Sequence, residues 1–153
     1  MAIRTAAPPK SDPFNLERFV EAQSGVYAQV LQELRLARKR THWMWFIFPQ
    51  LAGLGNSTYA TFYAIQSREE ARQYLAHPLL GKRLLECTQT LLNVEGRSAS
   101  DIFDPPDDLK LCSCMTLFAQ VAGQDSVFSA VLDKYFQGKP DPKTLSFLGP
   151  SSP

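Results

Sequence analysis

Thr41-His42-Trp43-Met44-Trp45-Phe46-Ile47-Phe48-Pro49 contains six consecutive apolar residues, a run that periodicity alone assigns to neither helix nor strand. Pro49 closes it in either case. We read it as a short buried helix capped by Thr41, because the segments on both sides are helical in pattern and no partner strand is evident. That reading makes the whole chain all-α.

On the N-terminal side, Asn15 is placed to cap a helix from Leu16 onward, with Phe19 and Val20 at helical spacing. Gly25 then separates a second apolar series, Val26, Tyr27, Val30, Leu31 and Leu34, which gives two helices or one bent helix. Arg35, Arg38, Lys39 and Arg40 suit the last turn, where cations offset the negative end of the helix dipole.

On the C-terminal side, Gly53-Leu54-Gly55-Asn56 reads as a loop, and Ser57 as the cap of a short helix through Tyr63. Ser67-Arg68-Glu69-Glu70 has the form of a capping box, opening a helix that His77-Pro78 interrupts. Leu80, Leu84, Cys87 and Leu91 form an apolar stripe along a helix over 78–93, which Gly96 ends. Asp104-Pro105-Pro106-Asp107-Asp108 supplies a cap, a first-turn proline and two carboxylates for a helix to about Val121, stopped by Gly123. Asp125 or Ser126 caps the next helix, which Gly138 ends, and Asp141-Pro142 starts a last short one.

The 153 residues are enough for one domain burying ~70% of its unfolded surface. We therefore expect a single multi-helix domain over 12–148 with the aromatic segment at its centre, a disordered leader over 1–11 and a flexible tail over 149–153. Sixteen Lys+Arg against fifteen Asp+Glu leave a net charge of +1, which removes the cationic excess of most non-specific nucleic-acid binders. No apolar run reaches membrane-spanning length and the N-terminus lacks a hydrophobic signal segment, so the expectation is a soluble, cytoplasmic protein. Cys87, Cys112 and Cys114 imply no disulfide framework, and they and the two histidines match no zinc spacing. With no phosphate-binding loop or dinucleotide fingerprint either, no cofactor is implied.

The string Arg40 to Gln50, with Leu51-Ala52-Gly53-Leu54-Gly55, His77-Pro78-Leu79-Leu80-Gly81-Lys82-Arg83-Leu84, Lys110-Leu111-Cys112-Ser113-Cys114-Met115-Thr116-Leu117-Phe118 and Asp133-Lys134-Tyr135-Phe136, resembles the bacterial family called domain of unknown function 1810. The likeness runs from Asp12 to Leu148. In the fourth block Cys112 and Cys114 stand where that family usually has Arg and Ser. The resemblance implies a mainly helical fold and no particular reaction.

Three constellations carry chemistry. If the helix runs on through Thr41, Arg38, His42 and Trp45 share a face, and cations flank an imidazole; the plain alternative is a solvated helix end beside a structural histidine. Lys110, Ser113, Thr116 and Gln120 make a polar stripe on an otherwise apolar helix, which requires a ligand or an internal hydrogen-bond network. His77 precedes a helix N-terminus, where it either caps or helps to hold an anion, with Arg83 farther along.

Two functions follow from these groups. The first is binding of, or action on, a planar anionic small molecule, nucleotide-like or phosphorylated. Its site would join His42 and Lys110 as catalytic groups to Arg40, Trp43, Trp45, Gln50, His77, Arg83, Ser113 and Thr116. The second is a non-catalytic module whose Arg35–Arg40 face meets nucleic acid or an acidic protein. Cys112 and Cys114 are expected to be structural, since buried thiols react slowly.

Overall fold

The computed structural model describes residues 11–150, and these form ten α-helices and no strand. In chain order they are α1 (Glu17–Gln23), α2 (Tyr27–Arg35), α3 (Met44–Ile47), α4 (Thr58–Phe62), α5 (Arg68–Ala76), α6 (Leu80–Asn93), α7 (Ala99–Ile102), α8 (Asp107–Ala122), α9 (Val127–Phe136) and α10 (Pro142–Leu148). The all-α expectation holds. The deciding segment is helical as α3, with Trp43, Met44, Ile47 and Phe48 buried. No helix among the described residues is long and apolar enough to cross a membrane. The expected leader lies, apart from Ser11, outside the described residues, as do residues 151–153 of the expected tail.

α8 is the central helix. It packs on α9, α5 and α10, with α7 against its flank, while α6 lies across α9, α5 and α2. Leu111, Cys114, Met115, Leu117 and Phe118 are fully buried, and a helix apolar around most of its circumference has to be surrounded. Rings tie this core together: Trp43 and Phe48 each meet Phe103 edge to face, at 6.2 and 6.1 Å, and Tyr74 meets Phe19 edge to face at 5.0 Å and Phe118 at a tilt at 5.5 Å.

The turn between α5 and α6 allows no side chain at Gly81, where an added Cβ would lie 2.0 Å from the Leu75 carbonyl oxygen. Gly81→Ala is therefore expected to cost about 2–3 kcal/mol by forcing the two helices apart. Urea denaturation checks this, and an unchanged midpoint would refute it.

Several local expectations are corrected by longer-range hydrogen bonds. Asn15 is in the left-handed region (φ 52°), and the α1 start is held instead by Asp12, whose carboxylate accepts from the Leu16 and Glu17 N–H groups at 2.7 and 3.0 Å. Thr41 does not cap α3; its hydroxyl donates to Glu33 at 2.7 Å. Ser67 caps α5, but Glu70 does not complete the box, because its carboxylate accepts from Gln66 N–H and pairs with Arg18. Asp104 leaves the α8 start to pair with Arg38 at 2.8 Å. The complete capping box belongs to Ser98 and Asp101 at α7, a helix that the sequence reading omits.

The largest correction falls between α2 and α3. The helix stops at Arg35, and Ala37 turns the chain with φ 57°, so Arg38, His42 and Trp45 share no helix face. Arg38 and Lys39 reach across to Asp104 and Asp107.

Candidate functional site

A cleft of about 840 Å³ opens beside α8, in the size range of small-molecule sites. It is lined by Trp45 and Gln50, by residues 54–57 and Ala60 of α4, by Pro106 and the α8 residues Leu109, Lys110, Cys112 and Ser113, and by residues 135–137 and 139–143. Each wall has a local cause. Residues 50–52 are fixed by an isolated parallel bridge between Leu51 and Ile65, in which Ile65 N–H donates to the Gln50 carbonyl and Ala52 N–H to the Ile65 carbonyl, both at 2.8 Å. Ser57 caps α4 by accepting from Ala60 N–H. On the far side Gln137 (φ 58°) and Gly138 (φ 73°) reverse the chain after α9. Asp141 then caps α10 through Thr144 N–H at 3.1 Å.

The cleft is aromatic and cationic. Trp45, Tyr135 and Phe136 give it apolar walls, and Tyr59 backs Trp45 at 5.2 Å. Among the described residues, Lys110, Lys139 and Lys143 line it against a single carboxylate, Asp141. The Lys110 ammonium lies 5.7 Å from the Trp45 ring centroid and 3.2 Å from Asp107, which also takes Lys39 at 2.9 Å. One carboxylate shared by two ammonium groups leaves a net positive charge beside the indole.

The polar stripe of α8 meets Asp141. Ser113 Oγ donates to Asp141 Oδ2 at 3.2 Å, and Thr116 Oγ1 accepts from Asp141 N–H at 2.8 Å while donating to the Cys112 carbonyl. Two of the four stripe residues are thus engaged in an internal network, and Lys110 and Ser113 also face the cleft. Gln120 lies beyond it.

The cleft brings together Trp45, Gln50, Lys110 and Ser113 from the candidate set; Thr116 is outside its lining and meets it only through the Asp141 N–H. The others lie elsewhere. Trp43 is 2% exposed and donates its indole N–H to Glu33 at 2.9 Å. Arg40 and His42 are exposed and outside the cleft lining, so His42 and Lys110 are not joined in this site. His77 caps α6, its Nδ1 accepting from the Leu79 and Leu80 N–H groups at 3.1 and 3.2 Å. Arg83 lies over the Tyr27 ring at 4.6 Å and donates to Gln23.

Sequence reasoning missed Asp141, Lys139, Lys143, Tyr135 and Phe136 as cleft residues. The signal available was the run Gln137-Gly138-Lys139-Pro140-Asp141-Pro142, a cationic turn leading directly into a helix cap. Cys112 also lines the cleft, half-buried, with its Sγ 3.7 Å from the Lys139 carbonyl. Burial first, and then the Asp141 charge, push its thiol up to about 11 despite a hydrogen bond with Thr116. Burial raises Cys114 as well and takes Cys87 to about 12. Iodoacetamide at neutral pH is accordingly expected to label the native protein slowly, at Cys112 before the other two. Labelling of any of them at the rate of a free thiol would overturn this.

Among curated proteins no match was found. The fold is similar to the crystal structure of the conserved hypothetical protein Rv1873 from Mycobacterium tuberculosis, with a TM-score of 0.88 and 57% identity over 90% of this chain and 98% of that one. A family model described as "Protein of unknown function (DUF1810)" matches residues 13–148, and the chain belongs to that family.

Proposed function

We propose that the cleft beside α8 binds a planar, anionic small molecule of nucleotide-like or phosphorylated kind. The observation that carries the reading is that, among the described residues, three lysines and one carboxylate line an aromatic cleft, with Lys110 held between Trp45 and an Asp107 that it shares with Lys39. Ammonium groups attract an anion most strongly where protein walls keep water away, and the rings supply flat apolar surface for the rest of the ligand. The role is binding, with Lys110 holding the anion. His42, assigned proton transfer from sequence, lies outside this lining. The three unpaired cysteines favour a cytoplasmic setting.

The alternative, a basic face over Arg35–Arg40 for nucleic acid or an acidic protein, is less favoured. Arg38 is paired within the chain with Asp104, and Lys39 is drawn to the Asp107 carboxylate that it shares with Lys110. Thermal-shift measurements with adenosine 5′-monophosphate and 2-naphthyl phosphate test the two readings. Ligand at 100 times its Kd adds about 2.7 kcal/mol to stability, which raises Tm by several degrees. Lys110→Met, which keeps the aliphatic stem, is expected to abolish the rise. A rise unaffected by Lys110→Met but removed by Arg35→Ala/Arg40→Ala would transfer the site to the basic face.

A further inference from the structure

Among the described residues Asp141 is the one acidic residue lining a cleft that otherwise attracts anions, and its two oxygens are unequally used. Oδ2 accepts from Thr144 N–H at 3.1 Å and Thr144 Oγ1 at 2.5 Å, and Ser113 Oγ lies 3.2 Å away, its one proton shared between Oδ2 and the Leu109 carbonyl at 3.1 Å. Oδ1 accepts none from the described residues. The backbone is pinned as well, since Asp141 N–H donates to Thr116 Oγ1 at 2.8 Å. A carboxylate anchored at both side chain and main chain cannot swing away from an arriving ligand. Its charge is exerted locally, for it is one of the causes that raise the neighbouring Cys112 thiol.

Such a group discriminates in both directions. A ligand offering an N–H or O–H gains a charge-assisted hydrogen bond to a preorganised acceptor. An anion without such a donor meets only repulsion there, and the acceptor loses whatever water it had without replacement. We infer that Asp141 sets the specificity of the cleft, selecting planar anions that also carry a hydrogen-bond donor, the chemistry of a nucleoside monophosphate, over planar anions that carry none. The inference rests on the cleft reading above and adds the second half of the ligand to it.

Isothermal titration at fixed ionic strength with adenosine 5′-monophosphate and 2-naphthyl phosphate tests it, because both are planar phosphates and only the first has amino and hydroxyl donors. The native protein is expected to bind the nucleotide at least ~10-fold more tightly, within the range that a hydrogen bond to a charged group confers. Asp141→Asn keeps a side chain that caps helices well while replacing the free acceptor. It is expected to weaken the nucleotide, strengthen the naphthyl ester and erase the preference. Circular dichroism and Tm establish that the variant is folded, and the native preference stands as an independent readout if it is not. Equal native affinities, both lost in Lys110→Met, would overturn the role of Asp141 and leave the cleft reading intact. A preference that survives Asp141→Asn would do the same. Binding of neither ligand would overturn the cleft reading and this inference with it.

Discussion

Glu33→Ala is expected to lower the unfolding free energy by about 2–4 kcal/mol, through lost hydrogen bonds to a charged acceptor and a stranded Trp43 N–H. The Glu33 carboxylate is 1% exposed. Its Oε1 accepts from the Arg40 and Thr41 N–H groups and the Trp43 indole at 2.7, 3.0 and 2.9 Å. Its Oε2 accepts from the Thr41 hydroxyl and Gln29 amide at 2.7 and 2.9 Å. None of these donors is a cation, so the charge is balanced by dipoles; removing it strands the buried Trp43 N–H at ~1–3 kcal/mol, whereas the donors on the exposed residues Gln29, Arg40 and Thr41 can turn to water. Burial pulls the carboxyl upward, but the bonds from Arg40, Thr41 and Gln29 outweigh it and hold the group at about 2. A folded-state value below the unfolded one stabilises the protein above the unfolded value, by about 3 kcal/mol here, and that contribution is lost as pH falls from about 4.5 through 2. Urea denaturation at pH 7 and pH 3 should therefore show the native protein losing more than Glu33→Gln does. A loss under 1 kcal/mol for Glu33→Ala would remove the hub from the account.

The second large effect is at Arg18, a guanidinium with all five N–H donors occupied. Nε donates to Phe62 O at 2.8 Å, one terminal nitrogen to Phe14 O and Asn15 O at 2.6 and 2.8 Å, and the other to Ala64 O and Glu70 Oε2 at 2.9 and 2.7 Å. It joins the start of α1 to the end of α4 and to α5. Arg18→Met is expected to cost about 3–5 kcal/mol, because Glu70 is left charged and buried and four carbonyls lose their donor. Glu70→Gln should cost less, since Arg18 keeps its four carbonyl partners. Chemical denaturation of both variants orders them, and a larger loss for Glu70→Gln would show that the ion pair, not the carbonyl cluster, dominates.

How far the sequence is legible depends on the range of the interactions involved. Leu80, Leu84, Cys87 and Leu91 announce α6 by spacing, and all four are buried. Ser126 and Asp141 announce the starts of α9 and α10, and both accept the expected cap hydrogen bond. The end of α2 is not legible, because helix-forming residues continue through Lys39 while the chain is drawn away by Glu33 from within the preceding helix. α7 is only four residues long, too short for an apolar period, and Asp rather than Glu closes its capping box.

The cleft is legible in part. Trp43 and Trp45 stand two residues apart, about 200° around a helix, so one enters the core and the other the cleft. Grouping them by composition overlooks that angle. Lys139 and Lys143 are brought to Lys110 by the reversal at Gln137 and Gly138, a tertiary event with no counterpart in residue spacing.

The hydrogen-bonded bridge between Leu51 and Ile65 makes residues 53–62 part of a closed loop that returns to the core at Tyr63. α4, which it carries, contributes no buried residue. Closure entropy rises only logarithmically with length, so even doubling such a loop costs about 0.6 kcal/mol. Insertions near Asn56 would therefore reshape one wall of the cleft at almost no cost to folding. In evolutionary terms, the bridge makes the dimensions of the cleft a variable independent of the scaffold.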